Sequence, residues 1–443
     1  MMHPADLDIA AAAAALRDGT LTSVALVQAS LDRIAARDPE IGAFVYLAAE
    51  DALRAAAAAD AALAAGHDLG SLHGIPCAVK DVFDVAGWPV RFGCGHFRER
   101  VAEHSSEAVV ACIAAGAIPL GLVATYELAT VGPDRTSLYP QPRNPWRRDH
   151  VTGGSSSGSA AAIASGMVRF ALGSDTGGSA RSPAAYCGVT GFKPTAERIG
   201  KAGLMPLAPS MDQVGILAAS AQDAAQVFGA LTGDSDETPM AGARVAYGRN
   251  WGEGDAPVIL SLLDDAAAAL SLAGARITVA DLPDYPSIEQ AGADILLSEQ
   301  VQSHWHVVEK DEAHVGKMAY ASLNSGIGIS PETLAKARAI AAAFTDEIDA
   351  LMSTQDALII PTTMTTAPLF SDFDTGGPVW TEMRTIPFNL SGHPAVSVPI
   401  GFSDGLPLAM QIVGARGADA LVLKIGAAFE AATDHSAQRP YLA

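Results

Sequence analysis

Between Gly153 and Pro183 the chain reads GGSSSGSAAAIASGMVRFALGSDTGGSARSP. Two glycine- and serine-rich turns flank one Ala-rich helix, Ala160–Gly166, and one short strand, Phe170–Gly173. Elements this short hold the two turns close together, which constrains the fold more than any other stretch. Successive glycines open backbone conformations closed to other residues. In Asp175-Thr176-Gly177-Gly178-Ser179 that freedom lets several N–H groups converge on one concavity, an anion nest. A serine ending such a nest can attack a carbonyl while the N–H groups hold the developing oxyanion. Each donor of this kind is worth on the order of 10²–10³ in rate.

A serine nucleophile needs a base. Ser155, Ser156 and Ser157 in the upstream turn can relay a proton but cannot keep it. Lys80 can, because it follows Gly74-Ile-Pro-Cys-Ala-Val79, a strand-like run that carries it inward. Burial strips an ammonium of solvation, lowers its pKa and frees the amine.

The rest of the chain predicts an α/β protein. The first 65 residues read as helical, with Thr22 capping Ser23–Arg37 and a second helix over Ala49–Ala65. A helix at Val109–Ala115 precedes a strand at Ala117–Val123. Residues 135–160 form a long loop, a length that is usually functional. Ser220–Leu231 is helical; Val258–Leu272 and Ala275–Leu282 form a helix–strand unit followed by two helices. Ala357–Pro361 and Ala395–Pro399 read as buried strands and Leu421–Ala432 as a closing helix. One large domain over 1–443 is expected. It comprises N-terminal helices (1–70), a catalytic core (71–235 and 355–443) and a peripheral substrate-shaping region (236–354).

The blocks Gly74-Ile-Pro-Cys-Ala-Val-Lys80-Asp81, Gly153–Ser159, Gly173–Ala184 and Cys187–Pro194 together resemble the amidase signature family. Pro361–Thr363, Pro387–Ala395 and Gly405–Gln411 add weaker similarity. The resemblance implies a large mixed, mostly parallel β-sheet enclosed by α-helices. It implies Lys80 as base, Ser155 as bridging serine after a cis Gly154–Ser155 peptide, and Ser179 as nucleophile. The N–H groups of Thr176, Gly177, Gly178 and Ser179 would form the oxyanion hole, with Ser156, Asp175 and Arg181 in support. The implied reaction is hydrolysis of a small carboxamide through an acyl-enzyme, without a metal or organic cofactor. The chain departs from the family at Ala180, Ser182, Gly121–Ala129 and residues 196–199, positions expected near the acyl pocket. Residues 285–345 and the N-terminal helices are expected to shape that pocket, with Thr125, Tyr126 and Asn324 as candidate substrate contacts.

Two alternatives stay open. One is a glutamine-hydrolysing amidotransferase A-type subunit. The other is an α/β-hydrolase-type esterase using Ser156 in Gly154-Ser-Ser-Ser-Gly158, a motif that needs a strand just before the serine. The His304-Trp305-His306 pair sits at a helical spacing that points its imidazoles apart, so no metal site is expected. A net charge of −21 repels phosphate backbones and anionic membranes, which argues against nucleic-acid or membrane partners; the expected partner is a small-molecule amide, and a homodimer stays open. The apolar run Ala108–Ala124 is broken by Gly116, Pro119 and Gly121. The first residues lack a basic-then-apolar leader, so a cytoplasmic location is expected. Cys77, Cys94, Cys112 and Cys187 read as small buried hydrophobes.

Overall fold

The computed structural model describes residues 3–234, 240–254, 257–374 and 379–440; the expected boundary at 235/236 lies outside them. Eleven strands form one sheet. In chain order they are β1 (Phe44–Leu47), β2 (Pro76–Lys80), β3 (Ile118–Val123), β4 (Phe170–Asp175), β5 (Thr190–Lys193), β6 (Gln213–Ala218), β7 (Arg244–Tyr247), β8 (Arg276–Val279), β9 (Ala357–Pro361), β10 (Ala395–Ser403) and β11 (Leu406–Val413). In space the order is β1-β3-β2-β4-β6-β5-β10-β11-β9-β7-β8. Helices enclose this mixed sheet, as expected, but its balance of directions differs from the expectation. Four pairings are parallel and six are antiparallel. Apolar central strands read alike in either direction, so direction has to come from the connections. The Asp404-Gly405 turn, with both residues at positive φ, closes a tight hairpin between β10 and β11, a signal carried by sequence.

The N-terminal region is not uniformly helical. Helices Ile9–Asp18, Ser23–Ile41 and Ala49–Ala64 are interrupted by β1, which pairs with β3. Thr22 does cap the second of these, accepting the Ala25 N–H at 3.1 Å. Three helices rather than two follow β8: Tyr285–Asp311, Lys317–Gly326 and Pro331–Met352. All four cysteines are free and buried. Among the described residues, no helix is long and apolar enough to cross a membrane.

Two features position the site. β2 and β4 are parallel neighbours, with Val79 opposite Leu172, so the C-terminal ends carrying Lys80 and Ser174 lie side by side. The helix Ser157–Ala164 is buried on every residue. Its small side chains make that burial workable: a methyl on Gly158 would overlap the Ala124 N–H and the Ala43 carbonyl. The helix therefore starts hard against the end of β3, and the serine turn before it sits over β2 and β4.

Candidate active site

Lys80 is fully buried, and its Nζ lies 2.8 Å from Ser155 Oγ and 2.7 Å from Ser174 Oγ. Burial drives its pKa down to about 7, against the opposing pull of Asp175 and Asp212. A neutral amine near pH 7 offers a lone pair to one hydroxyl and an N–H to the other. Ser174 was not anticipated from sequence, although side-chain alternation along β4 places it and Asp175 on opposite faces.

The Gly154–Ser155 peptide is cis. The serine turn and the nucleophile turn are joined through backbone, with Ser156 N–H donating to the Ser179 carbonyl at 3.1 Å. Lys80 and Ser155 are buried, whereas Ser179 is only half-buried and lines a cavity beside Gly153 and Gly154. Among the described residues the Ser179 hydroxyl makes no hydrogen bond. The structure thus brings Lys80 to Ser155 and sets Ser179 in the adjoining wall, with its Oγ free.

Asp175 organises the turn that carries Ser179. Its carboxylate accepts the N–H groups of Gly178 at 3.0 Å, Ala180 at 3.2 Å and Arg181 at 3.4 Å. Arg181, fully buried, spends all five donors: Nε and Nη2 on Asp175, Nη1 on the Thr385 carbonyl and Gln411 Oε1, Nη2 also on Asn389 Oδ1. Burial pushes the Asp175 carboxyl up, but the Arg181 charge and hydrogen bonds outweigh it and hold the pKa at about 2. Gly178 N–H is consequently occupied, which departs from the expected set of four oxyanion donors. The N–H groups of Thr176, Gly177 and Ser179 have no acceptor among the described residues.

The two glycines of this turn make opposite predictions. Gly178 has φ +124°, and a methyl there would overlap the Thr385 hydroxyl, so Gly178→Ala should cost about 1–3 kcal/mol in denaturant melts. A methyl on Gly177 would meet Leu296, Trp380 and Ile386 at an ordinary 3.4–3.7 Å. Gly177→Ala should therefore keep its melting midpoint yet lose roughly tenfold or more in kcat/KM, because the methyl would take up cavity space beside the turn whose N–H groups are expected to receive the oxyanion.

The cavity holds about 260 Å³. Its walls include Leu207, Leu296, Leu297, Phe373, Met383 and Tyr126, and none of its described lining residues is charged. Tyr126 is therefore placed where a substrate contact was expected. Thr125 is not: its hydroxyl turns to the Tyr126 carbonyl at 2.8 Å. Asn324 is exposed and off the cavity, because the helix face that lines it carries Ser322 and Ser325 instead. The block 285–345 does contribute walls, but the N-terminal helices do not. Val27, Leu31 and Ile34 share a hydrophobic cluster with the Ser157–Ala164 helix and are not among the cavity's described lining residues. Of the departures from the family pattern, Ser182, Tyr126 and Ala129 line the cavity; Ala180 and residues 196–199 do not.

Ser156 lacks the setting of an esterase nucleophile. It is fully buried, its hydroxyl is engaged with the Ser174 backbone at 3.2–3.3 Å, and a loop rather than a strand leads into it. His304 is buried in its helix, and no group of three or more metal-binding side chains occurs among the described residues.

Comparison with known proteins gives the same outline. The family model Amidase matches residues 25–423. The chain is 32% identical to the glutamyl-tRNA(Gln) amidotransferase A-type subunit of Chloroflexus aggregans, over 99% of this chain and 98% of that protein. It is 33% identical to the protein of the same name from Exiguobacterium sibiricum, over 94% and 95%. Among solved structures, the peptide amidase of Stenotrophomonas maltophilia superposes with a TM-score of 0.83 at 27% identity, covering 98% of both chains. A bacterial aryl acylamidase described as an amidase signature enzyme gives 0.85 at 25%, covering 98% and 99%.

Proposed function

The chain belongs to the amidase signature family, and on that premise we propose that it is an amidohydrolase that cleaves an uncharged, largely apolar carboxamide to a carboxylate and ammonia or an amine. The observation that carries the reading is the buried Lys80 amine, with a pKa near 7, bonded to a serine beside a free, cavity-facing Ser179 hydroxyl.

In the proposed mechanism Ser179 Oγ turns toward Ser155 as substrate enters. Lys80 takes the Ser155 proton as Ser155 takes the Ser179 proton, and Ser179 Oγ bonds to the amide carbon. The free N–H groups of the 176–179 turn receive the oxyanion. Collapse breaks the C–N bond, and the proton returns through Ser155 to the leaving nitrogen. Water then takes the place of the amine, gives its proton to the same relay and releases the carboxylate. Ser174 accepts an N–H from Lys80 Nζ in both its neutral and its protonated form and fixes its orientation.

The uncharged lining bears on the substrate. Glutamine carries an ammonium and a carboxylate, and burying either without a partner costs several kcal/mol. The amidotransferase relatives therefore share the reaction class more closely than the proposed substrate. Ammonia release by the purified chain alone, from hexanamide, phenylacetamide and glutamine, tests this. Hexanamide and phenylacetamide should exceed glutamine by roughly 100-fold in kcat/KM. A preference for glutamine, or ammonia release only with an added partner protein, would overturn it.

A further inference from the structure

Trp380 is 42% exposed, yet its ring lines the cavity. The ring reaches over the nucleophile turn: its Cη2 lies 3.5 Å from where a methyl on Gly177 would stand. It does not hang on a free loop end. Immediately downstream, Met364 N–H donates to the Glu382 carbonyl at 3.0 Å and Arg384 N–H to the Thr362 carbonyl at 2.9 Å. Val379, Thr381 and Met383, on either side of it, also line the cavity.

Ligand sites are lined mainly by apolar and aromatic side chains, and Trp380 puts such a ring at the rim of a concave, uncharged cavity. Aromatic rings stack or meet edge-to-face with a gain beyond the area they bury, which an alkyl chain of similar size does not obtain. The other polar groups of the cavity are less suited to selecting a ligand. Gln300, fully buried, already spends its amide N–H on the Ser322 carbonyl and hydroxyl at 2.7 and 3.1 Å. Tyr186, equally buried, has its hydroxyl closed off from the open space. Of the aromatic side chains among the described lining residues, Tyr126, Tyr186 and Phe373 are buried and Trp380 alone is exposed.

We propose that Trp380 is a specificity-determining residue, and that the amide it selects carries an aromatic ring that packs against the indole beside Ser179. This rests on the amidase reading for the word substrate, but its test does not need turnover. In a Ser179→Ala background, binding of phenylacetamide (ring on the acyl side), acetanilide (ring on the amine side) and hexanamide (no ring) is measured by calorimetry. Adding Trp380→Ala should weaken at least one aromatic probe by roughly three- to tenfold and change hexanamide by less than about twofold. Trp380→Phe should restore most of the loss. Tryptophan fluorescence of the Ser179→Ala chain should respond to the aromatic probe, and the response should vanish in the Trp380→Phe double variant, although Trp88, Trp146, Trp251 and Trp305 remain. Equal weakening of all three probes, no weakening, or no binding of either aromatic probe overturns the proposal. Ring-selective binding by a chain that hydrolyses none of the three would instead remove the amidase reading and leave this one standing.

Discussion

Lys80→Met is expected to lower kcat/KM by roughly 10²–10⁴-fold while making the folded chain more stable near neutral pH. Both effects have one cause. The amine sits at about 7 in the fold because burial disfavours its charge, whereas in the unfolded chain it stays protonated to 10.5. Below pH 7 both states bind the proton and the fold carries the full cost of a buried ammonium. Between 7 and 10.5 the unfolded state binds one proton more at this position, so stability rises with pH across that window. Methionine keeps the length of the side chain and removes the charge. The stability advantage of the variant should be largest at pH 6, amount to a few kcal/mol at most after the loss of the Ser155 and Ser174 hydrogen bonds, and shrink toward pH 10. The activity of the unsubstituted chain should climb with pH and level off above about 7, as the amine becomes neutral. Adding Ser179→Ala to Lys80→Met should cost little more than the larger single loss, because the residues act as one relay. Urea melts at pH 6, 8 and 10, with a pH–rate profile, check all of this. A stability gap independent of pH would show that Lys80 is not held neutral.

Arg181→Met is expected to destabilise the fold by roughly 3–5 kcal/mol, the effect of leaving a buried partner charge uncompensated. The substitution strips Asp175 of its counter-charge and removes donors from Thr385, Gln411 and Asn389. The pH dependence should also reverse. With Arg181 in place, Asp175 sits near 2, below its unfolded value of 3.8. That contribution is present above 3.8 and is lost as pH falls through 2. Without Arg181, burial pushes the carboxyl up against the weaker pull of Asn389 and Lys193, so the variant loses stability as pH rises through the raised value and regains it in acid. Arg181→Lys should rescue little, because an ammonium has three donors on one atom where this site uses five on a planar fork. Denaturant melts of both variants at pH 5 and 8 decide the matter: equal losses at the two pH values would contradict the account. The turn that carries Ser179 hangs on the same carboxylate, so activity should fall with it.

The nucleophile turn, the serine turn and the strand bearing Lys80 were legible because each depends on residues that few other arrangements would require: paired glycines, clustered serines, a lysine ending an apolar run. The five-donor cage around Arg181 was less so. Asn389 and Gln411 lie in blocks the sequence singles out, but their attachment to Asp175 and Arg181 spans more than 200 positions. Thr125 and Asn324 were misplaced for a local reason. A shift of one residue along the backbone decides whether a side chain near a cavity faces it, and the sequence alone does not set that phase.

By itself the sequence determined which groups are on offer: a glycine-rich turn ending in a serine, a cluster of hydroxyls, a lysine ending an apolar run, and the family to which that set belongs. Local backbone freedom and side-chain type fix those, and both are written residue by residue. Tertiary structure alone decided that Lys80 is bonded to Ser155 and Ser174, that Gly178 N–H is taken by Asp175, and that uncharged walls with Trp380 at the rim surround Ser179. Burial, and with it every shifted pKa and every wall of the cavity, comes from neighbours distant in the chain, and no run of adjacent residues specifies those.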